Sequence, residues 1–169
     1  MDVLGNVSMN IRLLTRNDAK DISGIYNYYI YNSIATFEES EVTIEDMAKR
    51  LEKIKQKHIG YVYEKEGSVL GYAYIDEFKG KSAYRKTCES TIYIKSDSLN
   101  LGIGRKLYSS LIASAREMNL HALVAVLACP NECSEKFHSS MGFSIHGRLK
   151  EVGYKFNKFI DISYWQLIL

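Results

Sequence analysis

The chain has 169 residues, 46% hydrophobic and 25% charged, enough for one domain around a full core. Its 22 basic and 20 acidic residues leave a net charge of +2, which gives no support to a nucleic-acid or membrane-surface role. No apolar run is long enough to span a bilayer, and the opening MDVLGNVS lacks the regions of a signal peptide, so a cytoplasmic protein is expected.

Residues 10–15 read as a first strand, and Thr15 or Asn17 caps a helix with Asp18 in its first turn. That helix puts Ile22, Ile25, Tyr26, Tyr29 and Ile30 on one side. Tyr26, Tyr28, Tyr29 and Tyr31 are read as core and rim packing. The irregular segment 33–39 follows, with one bulky aromatic, Phe37. A second helix starts at Thr43 and shows Ile44, Met47, Leu51 and Ile54, opposite a charged, solvated face. Residues 60–66 and 68–78 form a hairpin about Glu66-Gly67. The loop 79–86 then carries four cations and leads directly into Glu89.

Residues 90–94 are β-branched and aromatic, as a buried strand requires. Neighbours on a strand point to opposite faces, which sends Cys88 to the core and Glu89 to a cleft. Leu107, Tyr108, Leu111, Ile112, Ala115 and Met118 then repeat at helical spacing. Between strand and helix lies Asn100-Leu-Gly-Ile-Gly-Arg-Lys106. A helix start offers free N–H groups to phosphate, and Gly102 and Gly104 let the main chain approach it. No Gly-Lys-Ser/Thr follows, so this is not a P-loop, and Leu107 stands where a dinucleotide fingerprint needs its third glycine. Residues 122–128 are continuously apolar, a strand buried on both faces. Pro130 ends it, Asn131 opens a helix to about Met141, and Gly142 stops that helix. Residues 143–152 and 158–168 close the chain as an antiparallel pair. Cys88, Cys129 and Cys133 are too few and too irregularly spaced for a disulfide framework or a zinc site, and no metal is expected.

The strand, x-G-x-G and amphipathic helix resemble the acetyl-CoA loop of the GNAT N-acetyltransferases. The wider match joins Ile11-Arg12, Phe37, Ala83-Tyr84, Glu89-Ser-Thr-Ile-Tyr-Ile94, Leu101-Gly-Ile-Gly104, Leu107-Tyr108, Val124-Ala-Val126, Pro130-Asn131, His138, Met141-Gly-Phe143, Gly153-Tyr154-Lys155 and Trp165-Gln166. Together these are similar to the phosphinothricin and methionine sulfone/sulfoximine N-acetyltransferase branch. One departure is Leu99-Asn100, where the family loop usually opens with Gln or Arg.

The resemblance implies a single N-acetyltransferase domain over residues 1–169, with a mixed α/β fold. About seven strands form a twisted sheet with helices on both faces, and its two central strands splay apart to take acetyl-CoA. Ile92, Tyr93 and Ile94 then bind the pantetheine amides through their backbone, and Asn131 contacts the pantetheine arm as well as capping its helix. Asn100, Leu101, Gly102, Ile103, Gly104 and Arg105 hold the pyrophosphate, with Lys106 adding charge. Glu89 is the expected general base, and His138 or a tyrosine the proton donor to the leaving thiolate. Phe37, Lys79, Lys81 and Tyr84 are expected to bind a small anionic amino-acid acceptor. A different amine (a peptide N-terminus, polyamine or aminoglycoside) and a CoA-binding module without turnover stay open, as does a homodimer.

Overall fold

A computed structural model of the chain describes residues 10–169; the expectation placed on the opening segment MDVLGNVS lies outside them. Among these described residues seven strands form one sheet in the order β1-β2-β3-β4-β5-β7-β6. They are β1 (Ile11–Leu13), β2 (Gly60–Lys65), β3 (Ser68–Glu77), β4 (Thr87–Ile94), β5 (Ala122–Cys129), β6 (Ser144–Lys155) and β7 (Lys158–Ile168). Four helices accompany them: α1 (Ala19–Asn32), α2 (Ile44–Lys57), α3 (Ile103–Glu117) and α4 (Glu132–Ser140). The mixed α/β order matches the expected one.

Each sheet face buries its own core. Cys88, Leu107, Tyr108, Leu111 and Leu123 pack with α3, whereas Ile22, Ile30, Leu51, Val62 and Tyr72 pack with α1 and α2. Alternation along β4 explains the partition, since Cys88 and Ser90 are buried while Glu89 and Thr91 are half-buried on the other face. Thr43 caps α2 by accepting from the Asp46 N–H at 3.1 Å. Ile44 departs from the expected packed face: at the first position of α2 it is 53% exposed, and Ala48 joins Met47, Leu51 and Ile54 instead. Asp18 is tied to Thr15 N–H and to both Arg12 Nη atoms, which fastens β1 to the start of α1. Among the described residues no helix is long and apolar enough to cross a membrane.

The sheet is open at its centre. β4 and β5 are its parallel pair, in register only at Thr87↔Ala122, Cys88↔Leu123 and Glu89↔Val124. Beyond Glu89, β4 remains paired with β3 as far as Ile94, and β5 with β7 as far as Cys129. The two strands therefore part at Glu89 and leave a wedge between them.

Candidate active site

A cleft of about 720 Å³ fills that wedge. One wall is the β4 stretch from Glu89 to Ile94; Val126, Leu127 and Ala128 of β5 form the other. Backbone polar groups on the inner edges of parted strands have no ladder partner, so a ligand with amides meets them well.

At one end stands the turn into α3. Gly102 takes φ +74°, and Asn100 also lies in the left-handed region at φ +61°. No side chain caps α3, and no carboxylate lies in its first turn. The first N–H groups of α3 are thus left for an outside acceptor, at the positive end of the helix dipole. Gly104 packs so closely that an added Cβ would sit 3.3 Å from the Phe137 ring. Asn100, Gly102, Ile103, Gly104 and Arg105 all line the cleft. Leu101 and Lys106 point elsewhere, Leu101 being 66% exposed and the Lys106 ammonium lying over the Tyr63 ring.

Glu89 is half-buried in the cleft at the point of divergence. Burial raises its pKa above the usual carboxylate value; Lys79 opposes that shift and Asp76, directly across the ladder from Glu89, adds to it. Glu89 is the one carboxylate lining the cleft among the described residues. Its neighbour Cys88 faces the core, where burial pushes the thiol up to about 11, so it is not a ready nucleophile.

His138 of α4 and Asn131, the residue that caps it, also line the cleft. The Asn131 side-chain oxygen accepts from the Ser134 N–H at 3.2 Å and caps the helix. His138 lies 2.8 Å from the Ser134 carbonyl through Nδ1, so Nδ1 carries the proton. Its Nε2 then accepts from the Tyr108 hydroxyl at 3.0 Å, and the Ser90 hydroxyl lies 2.7 Å from Tyr108. Burial lowers the His138 pKa and raises that of Tyr108, so both are neutral near pH 7. The helical spacing of Tyr108 signalled core, and nothing in the sequence disclosed its bond to His138.

The segment between α1 and α2 covers the far end. Ser33, Ile34, Ala35, Thr36 and Phe37 all line the cleft. The Tyr93 hydroxyl donates to the Ala35 carbonyl at 3.0 Å, and that of Tyr29 to the Ile94 carbonyl at 2.6 Å. Tyr29, expected to serve packing, therefore also fastens the cleft rim. Lys79, Lys81 and Tyr84 gather instead around a separate shallow depression with Gly80, outside the cleft lining. Of the three, Lys79 is the one whose charge is felt at Glu89.

The acetyltransferase (GNAT) domain family matches residues 11–164. The chain is 33% identical to the phosphinothricin N-acetyltransferase of Streptomyces viridochromogenes, over 94% of this chain and 86% of that one. It is 31% identical to the methionine sulfoximine/methionine sulfone acetyltransferase of Salmonella typhimurium, over 95% of each. Among solved structures, a ribosomal-protein-alanine N-acetyltransferase from Brucella melitensis superposes with a TM-score of 0.92 at 36% identity, covering 94% of this chain and 99% of its own. A phosphinothricin acetyltransferase from Sinorhizobium meliloti, in complex with acetyl-CoA, gives 0.91 at 30% identity, covering 94% and 87%.

Proposed function

This chain belongs to the GNAT acetyltransferase family, and from that premise we propose that it moves acetyl from acetyl-CoA to the primary amine of a small anionic amino acid. It is an N-acetyltransferase, with acetyl-CoA as its co-substrate. The observation that carries the mechanism is Glu89, half-buried at the mouth of the wedge with a raised pKa. A carboxylate so placed takes a proton from the substrate ammonium, directly or through one water, and frees the lone pair that attacks the thioester. A backbone N–H on the inner edge of β4 polarises the acetyl carbonyl. The departing CoA thiolate, with an ordinary thiol pKa of roughly 8.5, needs little assistance. His138 lines the cleft, but its Nδ1–H is held by the Ser134 carbonyl and its Nε2 by the Tyr108 hydroxyl, so the thiolate takes its proton from solvent.

The residues fit acetyl-CoA. The uncapped start of α3, with Gly102, Gly104 and Arg105, would hold its pyrophosphate, while Ile92, Tyr93, Ile94 and Asn131 would meet its pantetheine arm. For the acceptor, the names of the Streptomyces and Salmonella relatives support phosphinothricin or methionine sulfone and sulfoximine. Lys79, whose charge is felt at Glu89, supports an anionic group on that acceptor, whereas Lys81 and Tyr84 lie outside the cleft lining. The Brucella structure carries a second reading, a protein N-terminus. A polyamine fits less well, because a cation needs more acid than Glu89 supplies.

An acetyl-CoA turnover screen over phosphinothricin, methionine sulfone, methionine sulfoximine, polyamines and alanine-initiated peptides tests this reading. The highest kcat/KM is expected among the amino-acid analogues; a higher value for a peptide or polyamine would overturn the acceptor class.

A further inference from the structure

Lys155 ends β6 far along the sequence from the segment that roofs the cleft. It is 2% exposed. Its ammonium donates to the Ser33 carbonyl at 2.8 Å and to the Thr36 carbonyl at 2.7 Å, and lies 5.0 Å from the Phe156 ring centroid. Two residues before it, Gly153 abuts the Phe37 ring so closely that a Cβ there would sit 2.4 Å from a ring carbon. A buried ammonium is costly unless bonded, so one that is spent on two carbonyls of a single loop marks that loop's conformation as worth fixing.

Peptide planarity gives the consequence. In a trans peptide the C=O and the following N–H point in opposite directions. With the Ser33 and Thr36 carbonyls turned to Lys155, the Ile34 and Phe37 N–H groups are turned away from it. Lys155 does not line the cleft, whereas residues 33 to 37 all do, so the loop lies between the two. The Ile34 and Phe37 N–H groups have no acceptor among the described residues, while the Ala35 and Glu38 N–H groups are taken by the Ser33 and Thr36 hydroxyls. The loop is also held over the Glu89 face of β4 through Tyr93, four residues along the same side.

The geometry points to Lys155 as a positioning residue that presents the Ile34 and Phe37 N–H groups to the α-carboxylate of the acceptor. This inference rests on the amino-acid reading of the site and adds to it the subsite for the carboxylate next to the reacting amine. The ammonium polarises both peptides from behind, and charge-assisted N–H donors to a carboxylate are among the stronger hydrogen bonds.

The test compares wild type, Lys155→Met and Lys155→Arg on methionine sulfone and on its decarboxylated amine, with acetyl-CoA affinity measured by calorimetry. Wild type is expected to favour the carboxylated acceptor. In Lys155→Met its KM should rise about tenfold or more, with the amine's KM and the acetyl-CoA Kd near wild type, and Lys155→Arg should recover part of the preference. Should Lys155→Met fail to fold, Gly153→Ala displaces Phe37 from the other side and should raise the same KM selectively. A folded Lys155→Met or Gly153→Ala enzyme that keeps the full preference would overturn the inference and leave the proposed reaction standing. A wild type that acetylates neither acceptor would overturn both.

Discussion

At the scale of single residues, Glu89 separates a catalytic from a structural reading. Its pKa is raised by burial, with Lys79 opposing and Asp76 assisting, so the fold favours its protonated form. The stability it contributes is present at low pH and lost as pH rises through the raised value. Glu89→Gln is therefore expected to melt no lower than wild type at neutral pH. The same change should lower kcat by about 10²–10⁴, the usual worth of a general base, with acetyl-CoA affinity near wild type. The deficit should shrink at high pH, where the amine loses its proton unaided. A stable variant with near-normal kcat at pH 7 would remove Glu89 from the mechanism. Asp18 shows the opposite sign. Burial alone would raise its pKa, but Arg12 and the Thr15 N–H outweigh burial and lower it. Its contribution is present above the ordinary carboxylate pKa and is lost as pH falls through the lowered value. Because Arg12 is partly exposed, Asp18→Asn should cost about 1–2 kcal/mol by thermal melting at pH 7, less than a fully buried pair, and the cost should shrink as pH falls through the lowered value.

Elements are where the sequence was most legible. The seven strands and four helices follow from periodicity and punctuation: Thr43 and Asn131 as caps, Glu66-Gly67 as a turn, Gly142 as a stop. Cys88 and Glu89 fell to opposite faces because alternation on a strand leaves no other choice. Contacts between distant segments had no such local signature. The apolar spacing of α3 could not disclose that Tyr108 would meet His138 of α4, nor could Gly-Tyr-Lys disclose that Lys155 would hold Ser33 and Thr36. The closeness of Lys79, Lys81 and Tyr84 to Glu89 in sequence points to the acceptor, yet the loop turns them out to their own depression. The loop into α3 supplies the prediction at this scale. Gly104→Val adds bulk against Phe137 and at the open N–H groups, so acetyl-CoA affinity should fall at least about tenfold, or 1.4 kcal/mol. Circular dichroism should show the helices retained, and unchanged calorimetric affinity in the folded variant would separate this loop from the pyrophosphate.

For the whole molecule, the consequence of the open sheet is mechanical. One half, β1 to β4, and the other, β5 to β7, share a ladder of three residue pairs before the wedge begins. Beyond it, the halves are bridged by side chains such as Lys155, which reaches from β6 to the loop after α1, and by helices packed across the faces. A ligand lying in the wedge replaces missing ladder bonds on both inner edges, so it should stabilise the native state well beyond its own contact area. Acetyl-CoA at one hundred times its Kd adds about 2.7 kcal/mol to unfolding by mass action alone. For a chain of this length each kcal/mol moves the midpoint by roughly 2–4 °C, which predicts a rise of about 5–10 °C in a thermal melt. Hydrogen exchange should slow in the same experiment, most at the amides of Glu89 to Ile94 and Val126 to Ala128, whose strand edges face the gap. Protection confined to the start of α3 would mean that the cofactor is held by its phosphates alone and that the wedge stays open when it binds.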